Sequence, residues 1–443
     1  MNIIRWREFI AQSPLRRLGH EALVTAVASL VPKGFGFAKE IVVASIFGLS
    51  DNLDIYLMAF VLVGFPLSVF INAIQAMLIS RLSRSNNMDG NVLYASTAGL
   101  TLLFLAAVLP LWLLLLHYSL PWIASSFSPD KLIGLESALY YLIPYYFFNA
   151  INLLAYGVFQ ARRHFLANGL LPALTPLLIM SLVYFFGDSG SWEILAISLV
   201  VGVMAECIWL HVRLFQSGAL VRPKLFNNAQ LTQLCMASLT LIPGFFMLGI
   251  GPLIDQAIAA SLGTGAVSSL AYGYRLPAAL NGVLITAIGI TILPYFSSLL
   301  AQEKISYCLH SFNKLTIWLL IGAFTLVIPL GIGSDNIVQL LYQRGAFTST
   351  ATEIVTPIQQ VYLLQLPFAL INILCIRTLI ATENSKTVSL LTGSAALIQA
   401  GLAWWLGMEY GAFGIALAAM IVSMLLAASS FIYARSSLRI LMV

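Results

Sequence analysis

The stretch "LVPKGFGFAKEIVVASIFG", Leu30 to Gly48, decides how the chain is read. It is apolar enough for a bilayer, yet it carries Lys33, Lys39 and Glu40. Residues 23–47 hold twelve Leu, Ile, Val or Phe. At about 0.5 kcal/mol each they return roughly 6 kcal/mol on insertion, against roughly 8–10 kcal/mol for three central charges. A helix with that balance is disfavoured in lipid on its own. Its charges must face protein or a water-filled cavity.

The rest of the chain sets the same scene. Of 443 residues, 60% are hydrophobic and 9% charged, with a mean hydropathy of +0.93. Soluble domains carry about 25% charged residues, so a soluble fold is excluded. Apolar blocks of helical-span length alternate with short polar breaks. The short alternating segments of a membrane β-barrel are absent. Cys207, Cys235, Cys308 and Cys375 stand singly, which points to buried apolar residues rather than a disulfide framework or a metal site. Residues 1–20 are basic and lack an apolar h-region, so no cleaved signal is expected.

Twelve spans are predicted, near 21–47, 56–79, 92–116, 135–160, 167–187, 192–213, 233–261, 266–299, 311–333, 356–380, 385–407 and 410–433. The N-terminus and alternate loops then hold 17 of the 22 Lys and Arg, including Arg5, Arg7, Arg84, Arg163, Arg222 and Lys224. The opposite loops hold only Lys131 and Arg344. The positive-inside rule puts both termini in the cytoplasm. The expected architecture is an all-α polytopic membrane protein. A cytoplasmic N-terminus (1–20) precedes an N-lobe (21–213), a basic linker (214–232), a C-lobe (233–433) and a cytoplasmic tail (434–443). The lobes have six spans each, related by a pseudo-twofold along the membrane normal, with a central cavity where such transporters place substrate.

Three cations, Lys33, Lys39 and Arg275, fall inside spans. Lys33 and Glu40 are seven residues apart, so they share a helix face. Pro32, Gly34 and Gly36 are expected to loosen the helix beside Lys33. Arg275 precedes Pro277, and Asp255 lies across a short loop from it as an expected partner. Asn72, Gln75, Asn149, Asn152, Asn281, Gln365 and Asn372 are expected to add a polar lining. The plainer reading is that intramembrane charges pair structurally or snorkel to an interface. It suits Glu206, near one end of the sixth span, and leaves Asp255 either way. Three cations outnumber the nearby acids, which favours a cavity for an anion. His164, beside Arg162 and Arg163, reads as solvated. No Walker lysine loop, HExxH or acidic metal-binding loop is present, so no enzyme, cofactor or metal site is expected.

"KGFGFAKEIVVASIFGLSDNLDIYLMAF" resembles the first-span signature of the MviN/MurJ lipid II flippase family, in the multidrug/oligosaccharidyl-lipid/polysaccharide exporter superfamily. "YGYRLPAALNGVLITAIGITILP" resembles its eighth-span signature, "LYQRGAFTSTAT" its loop entering span 10, and "YGAFGIALAAMIVSML" a late-span motif. The resemblance implies a flippase of the bacterial inner membrane that moves a polyprenyl-pyrophosphate-linked saccharide, lipid II or a polysaccharide precursor, to the outer leaflet. It carries over Lys33, Lys39 and Arg275 as substrate-anion residues and Asp54, with Glu40 and Asp255, as gating or pairing residues. The implied partners are that substrate, membrane lipids and envelope-synthesis proteins, with no nucleic acid. A coupling ion, Na+ or H+, stays open. The family often has fourteen spans. Two other readings stand beside it: a cation-coupled multidrug or metabolite exporter, and a non-transporting scaffold of an envelope-synthesis complex.

Overall fold

The computed structural model describes residues 14–83, 87–162, 169–188, 190–218 and 229–441. Arg5, Arg7, Arg84, Arg163, His164, Arg222 and Lys224, and with them most of the expected N-terminus and linker, lie outside the described residues. Among the described residues every regular element is a helix. The first half comprises α1 (Pro14–Phe47), α2 (Asp51–Pro66), α3 (Asn72–Leu82), α4 (Asn87–Ile123), α5 (Pro129–Tyr141), α6 (Ile143–Ala161), α7 (Leu174–Phe186) and α8 (Glu193–Gln216). The second comprises α9 (Ala229–Ala260), α10 (Ala266–Ala301), α11 (Ile305–Ile332), α12 (Ser334–Tyr342), α13 (Ser349–Ala381) and α14 (Ser385–Ile440). Among the described residues, seven helices are long and apolar enough to cross a membrane. They are eight if α5 and α6, bent by 43°, make one span.

Local chemistry explains the boundaries. Ser50, Ser128 and Thr348 are N-caps whose side chains accept hydrogen bonds from the third residue on, Leu53, Lys131 and Ala351. Pro66 cannot donate to the helix ladder, and the chain passes through a π turn at Leu67–Ile71 before α3 resumes. There Ser68 Oγ donates to the Phe65 carbonyl at 2.7 Å. The 56-residue α14 is broken only at Gly411, where φ is +63° and ψ −148°. That residue lies just inside the last expected span, 410–433, close to its expected boundary with the one before. By contrast α1 runs unbroken through Pro32, so the proline removes one donor without unwinding the helix.

The main apolar core links the first half to one end of the second through Phe47, Met58, Leu62, Tyr146, Tyr272, Tyr342 and Phe347. A separate core of Phe296, Phe312, Leu374, Cys375 and Leu438 holds the other end of α10, α11, α13 and α14. Helix α9 crosses between halves and packs on α3 and the π turn. This leaves α1 and α10 side by side as the walls of the site.

Candidate functional site

The site is built between α1 and α10, which run antiparallel. Lys33 Nζ comes within 3.5 Å of where a Cβ on Gly282 would stand. Seven residues on, Glu40 Oε1 receives Arg275 Nη2 at 2.9 Å. At the far end, Leu49 lies 3.2 Å from where a Cβ on Gly265 would stand. The first two rungs fall at matching intervals on the two helices, because seven residues are nearly two turns. Gly34 and Gly36 have nothing within 4 Å of a built Cβ, so there is open space beside Lys33.

Glu40 is buried, at 7% exposure, and also binds Lys39 Nζ at 2.8 Å. One carboxylate therefore serves two cations. Lys33 is exposed, and among the described residues it makes no ion pair. Three cations against one acid leave this cluster with an excess of two positive charges. Beyond them Phe37, Tyr272, Tyr342 and Phe347 form an aromatic plug, with ring centroids 5.2–6.3 Å apart in successive pairs.

Past the plug, the two halves are fastened at one face. Gly265, the N-cap of α10, has no side chain to satisfy the first N–H groups of its helix. Asp54 of α2 supplies that cap from the other half: its carboxylate accepts from Gly265 N at 2.7 Å and Ser268 N at 2.8 Å. Lys131, 7% exposed, bridges Asp54 at 3.2 Å and Asp51 at 2.5 Å and lies 3.8 Å over the Phe127 ring. A second fastening joins the loop before α13 to the end of α1. Ala346 N donates to Ser45 O at 2.8 Å. Gly48 and Gly345 hold φ of +54° and +58°, and a Cβ on either would strike facing backbone oxygen at 2.4 and 2.1 Å. Glycine is required at both.

Three expectations need correction. Asp255 does not pair with Arg275; it accepts from Gln399 Nε2 of α14 at 3.1 Å, because Arg275 is turned toward α1. Several amides expected to line the cavity instead tie helices together: Gln75 donates to Leu153 O, Asn152 to Val203 O and Asn372 to Ser423 O. Glu206 has hydroxyl partners rather than a cation, Tyr156 and Thr175. Lys131, read from the sequence only as a loop lysine, is the buried cation of the Asp54 fastening. Its signal is present in the sequence, since it is one of only two cations in the loops opposite the basic ones.

A helical membrane protein that holds uncompensated charge between two antiparallel walls, fastened shut at one end, has the build of a membrane transporter. The solved structures agree. A lipid II flippase MurJ in an inward closed conformation superposes with a TM-score of 0.76 at 20% identity, over 95% of this chain and 92% of that one. An inward-facing multidrug resistance MATE family transporter of the MOP superfamily gives 0.77 at 12% identity, over 95% and 98%. At such identities the likeness is one of fold. The family described as lipid II flippase MurJ matches residues 43–442, and the chain belongs to it. Its relatives include probable lipid II flippases MurJ of Rhizobium tropici and Rhizobium meliloti (strain 1021). The first is 26% identical over 429 residues, 91% of this chain and 78% of that protein. The second is 24% identical over 418 residues, 89% and 76%. The chain is thus a transporter and not an enzyme. The family match begins after Glu40, so roles for Lys33 and Lys39 rest on the geometry above.

Proposed function

We propose that the chain flips lipid II across the bacterial inner membrane by alternating access, with Lys33, Lys39 and Arg275 receiving the diphosphate. One observation carries the reading: the cluster of Lys33, Lys39, Glu40 and Arg275, where α1 meets α10, holds two more positive charges than negative. A pyrophosphate diester brings about two negative charges, and opposite charge is what a site of low effective dielectric needs to become neutral. Without cargo, Glu40 holds Arg275 and Lys39 and keeps the walls together. The arriving diphosphate competes with Glu40 for both, while Lys33 is available at once. Lysines act here as point charges and Arg275 as the bidentate fork.

Twelve spans in two six-helix lobes, with both termini cytoplasmic, suit this mechanism. Support comes from the continuous 34-residue α1 and 36-residue α10, and from the break of α14 at Gly411 into two lengths. The Asp54–Lys131 and Ser45–Ala346 fastenings then act as the outer gate, closed while the cationic gap faces inward. The test is flipping of labelled lipid II by the protein in vesicles. Lys33→Ala and Arg275→Ala should each lose transport while remaining folded. A scaffold would tolerate both changes, and a cation exporter would leave lipid II unflipped even in the unaltered protein.

A further inference from the structure

Outside the cationic cluster, the first half holds a buried acid that the mechanism above does not use. Glu206 of α8 is 7% exposed. Its Oε1 accepts from the Tyr156 hydroxyl of α6 and its Oε2 from the Thr175 hydroxyl of α7. Among the described residues no Lys, Arg or His makes an ion pair with it. The groups around it are otherwise committed. His211, five residues on along α8, shares Nε2 with the Tyr94 hydroxyl of α4 at 3.1 Å and places Nδ1 2.8 Å from the Cys207 carbonyl. Helix α5 touches α8 near Trp192, fourteen residues back, and its Lys131 and Glu136 are held by Asp51 and Asp54 and by His117.

A second observation points to what the acid holds. Asn152 is 2% exposed and donates through Nδ2 to the Val203 carbonyl at 3.1 Å, yet its Oδ1 has no partner. Asn152 lies one turn before Tyr156 on α6, and Val203 one turn before Glu206 on α8. The orphaned acceptor is therefore about one helical turn from the carboxylate, between the same two helices. Buried acceptors in folded proteins have donors, or a water that serves as one. A protonated Glu206 is such a donor, directly or through one water; its unprotonated oxygen keeps the hydroxyl it already holds, and the hydroxyl on the protonated oxygen is released to turn. The ionised form keeps both hydroxyl bonds and loses only the Asn152 link. Both states can exist in the same packing, as a reversible site requires. Gly202 fixes that packing, since a Cβ there would lie 3.1–3.2 Å from the Thr175 backbone.

We propose that Glu206, framed by Asn152, Tyr156 and Thr175, is a proton-binding site of the first half, loaded and emptied during transport. His211 stands between it and the end of α8 as the entry point. The closing experiment has two arms on the whole protein. In an infrared pH titration of the purified protein, a carboxyl band that appears and disappears reversibly with pH should be present, and missing from Glu206→Gln. That arm does not depend on what is transported. In vesicles, flipping should follow a one-proton pH dependence, up to about tenfold per pH unit on its steep limb, and Glu206→Gln should flatten it. Glu206→Asp should restore the dependence. A Glu206→Gln protein with the unaltered pH profile, with no lost band, or with a rate set by Na+ instead would overturn the proposal.

Discussion

Lys33 and Lys131 show how the same residue type takes opposite roles through its partners. Lys131 is buried between two carboxylates, so removing its charge leaves Asp54 fully buried and opposed only by backbone N–H groups. Lys131→Met should cost about 3 kcal/mol, the low end for breaking a buried pair, because those N–H groups remain. Thermal unfolding in detergent would register the loss, and an unchanged midpoint would contradict it. Lys33 has no such role among the described residues. Lys33→Ala should leave the unfolding midpoint where it was and remove transport, and Lys33→Arg should keep both. A destabilised Lys33→Ala would mean the side chain is structural after all. The sequence made the outnumbering of acids by cations legible, and the i, i+7 face shared by Lys33 and Glu40. It did not give the partner of Arg275. Asp255 is nearer in sequence, but which helix an arginine turns to is settled by packing between distant segments.

At the scale of elements, the ladder between α1 and α10 was half visible. The Lys33–Glu40 interval on one helix matches the Arg275–Gly282 interval on the other, yet only the fold shows that the two helices face each other. The fastening at Gly48 and Gly345 left a plainer trace, a glycine ending the first span and another in "QRGAF". Their meeting could not be read from either stretch alone. Gly345→Ala should cost about 1–2 kcal/mol for the left-handed backbone, plus the strain of a Cβ against Ser45 O. It should loosen this face of the molecule. A cysteine placed at Leu49 should then react faster with a polar maleimide than in the unaltered background. Equal reaction rates would show that the loop is no part of a gate. The amides misread as cavity lining belong to the same lesson. A lone Asn or Gln in an apolar helix satisfies a neighbouring helix's carbonyl as readily as a ligand.

At the scale of the molecule, composition and the spacing of apolar blocks already fixed a helical membrane protein. The break of α14 at a single glycine shows why span counting by length alone stops short. The charge arithmetic also has a whole-molecule consequence. Moving about two negative charges outward down an inside-negative potential gains about 2.3 kcal/mol per charge per 100 mV. Flipping in vesicles should therefore speed up when an inside-negative diffusion potential is imposed and slow when it is reversed. Indifference to the potential would separate cargo charge from the driving force.

The claim beneath all of this is that the uncompensated charge between α1 and α10 binds the diphosphate of the cargo. Equilibrium binding of lipid II to the detergent-solubilised protein, compared with Lys33→Ala and Arg275→Ala, tests it most directly. A charge-assisted contact is worth about 1.5–3 kcal/mol, so each change should weaken binding by roughly 10- to 150-fold. Lipid II bound as tightly by both variants as by the unaltered protein would contradict the account.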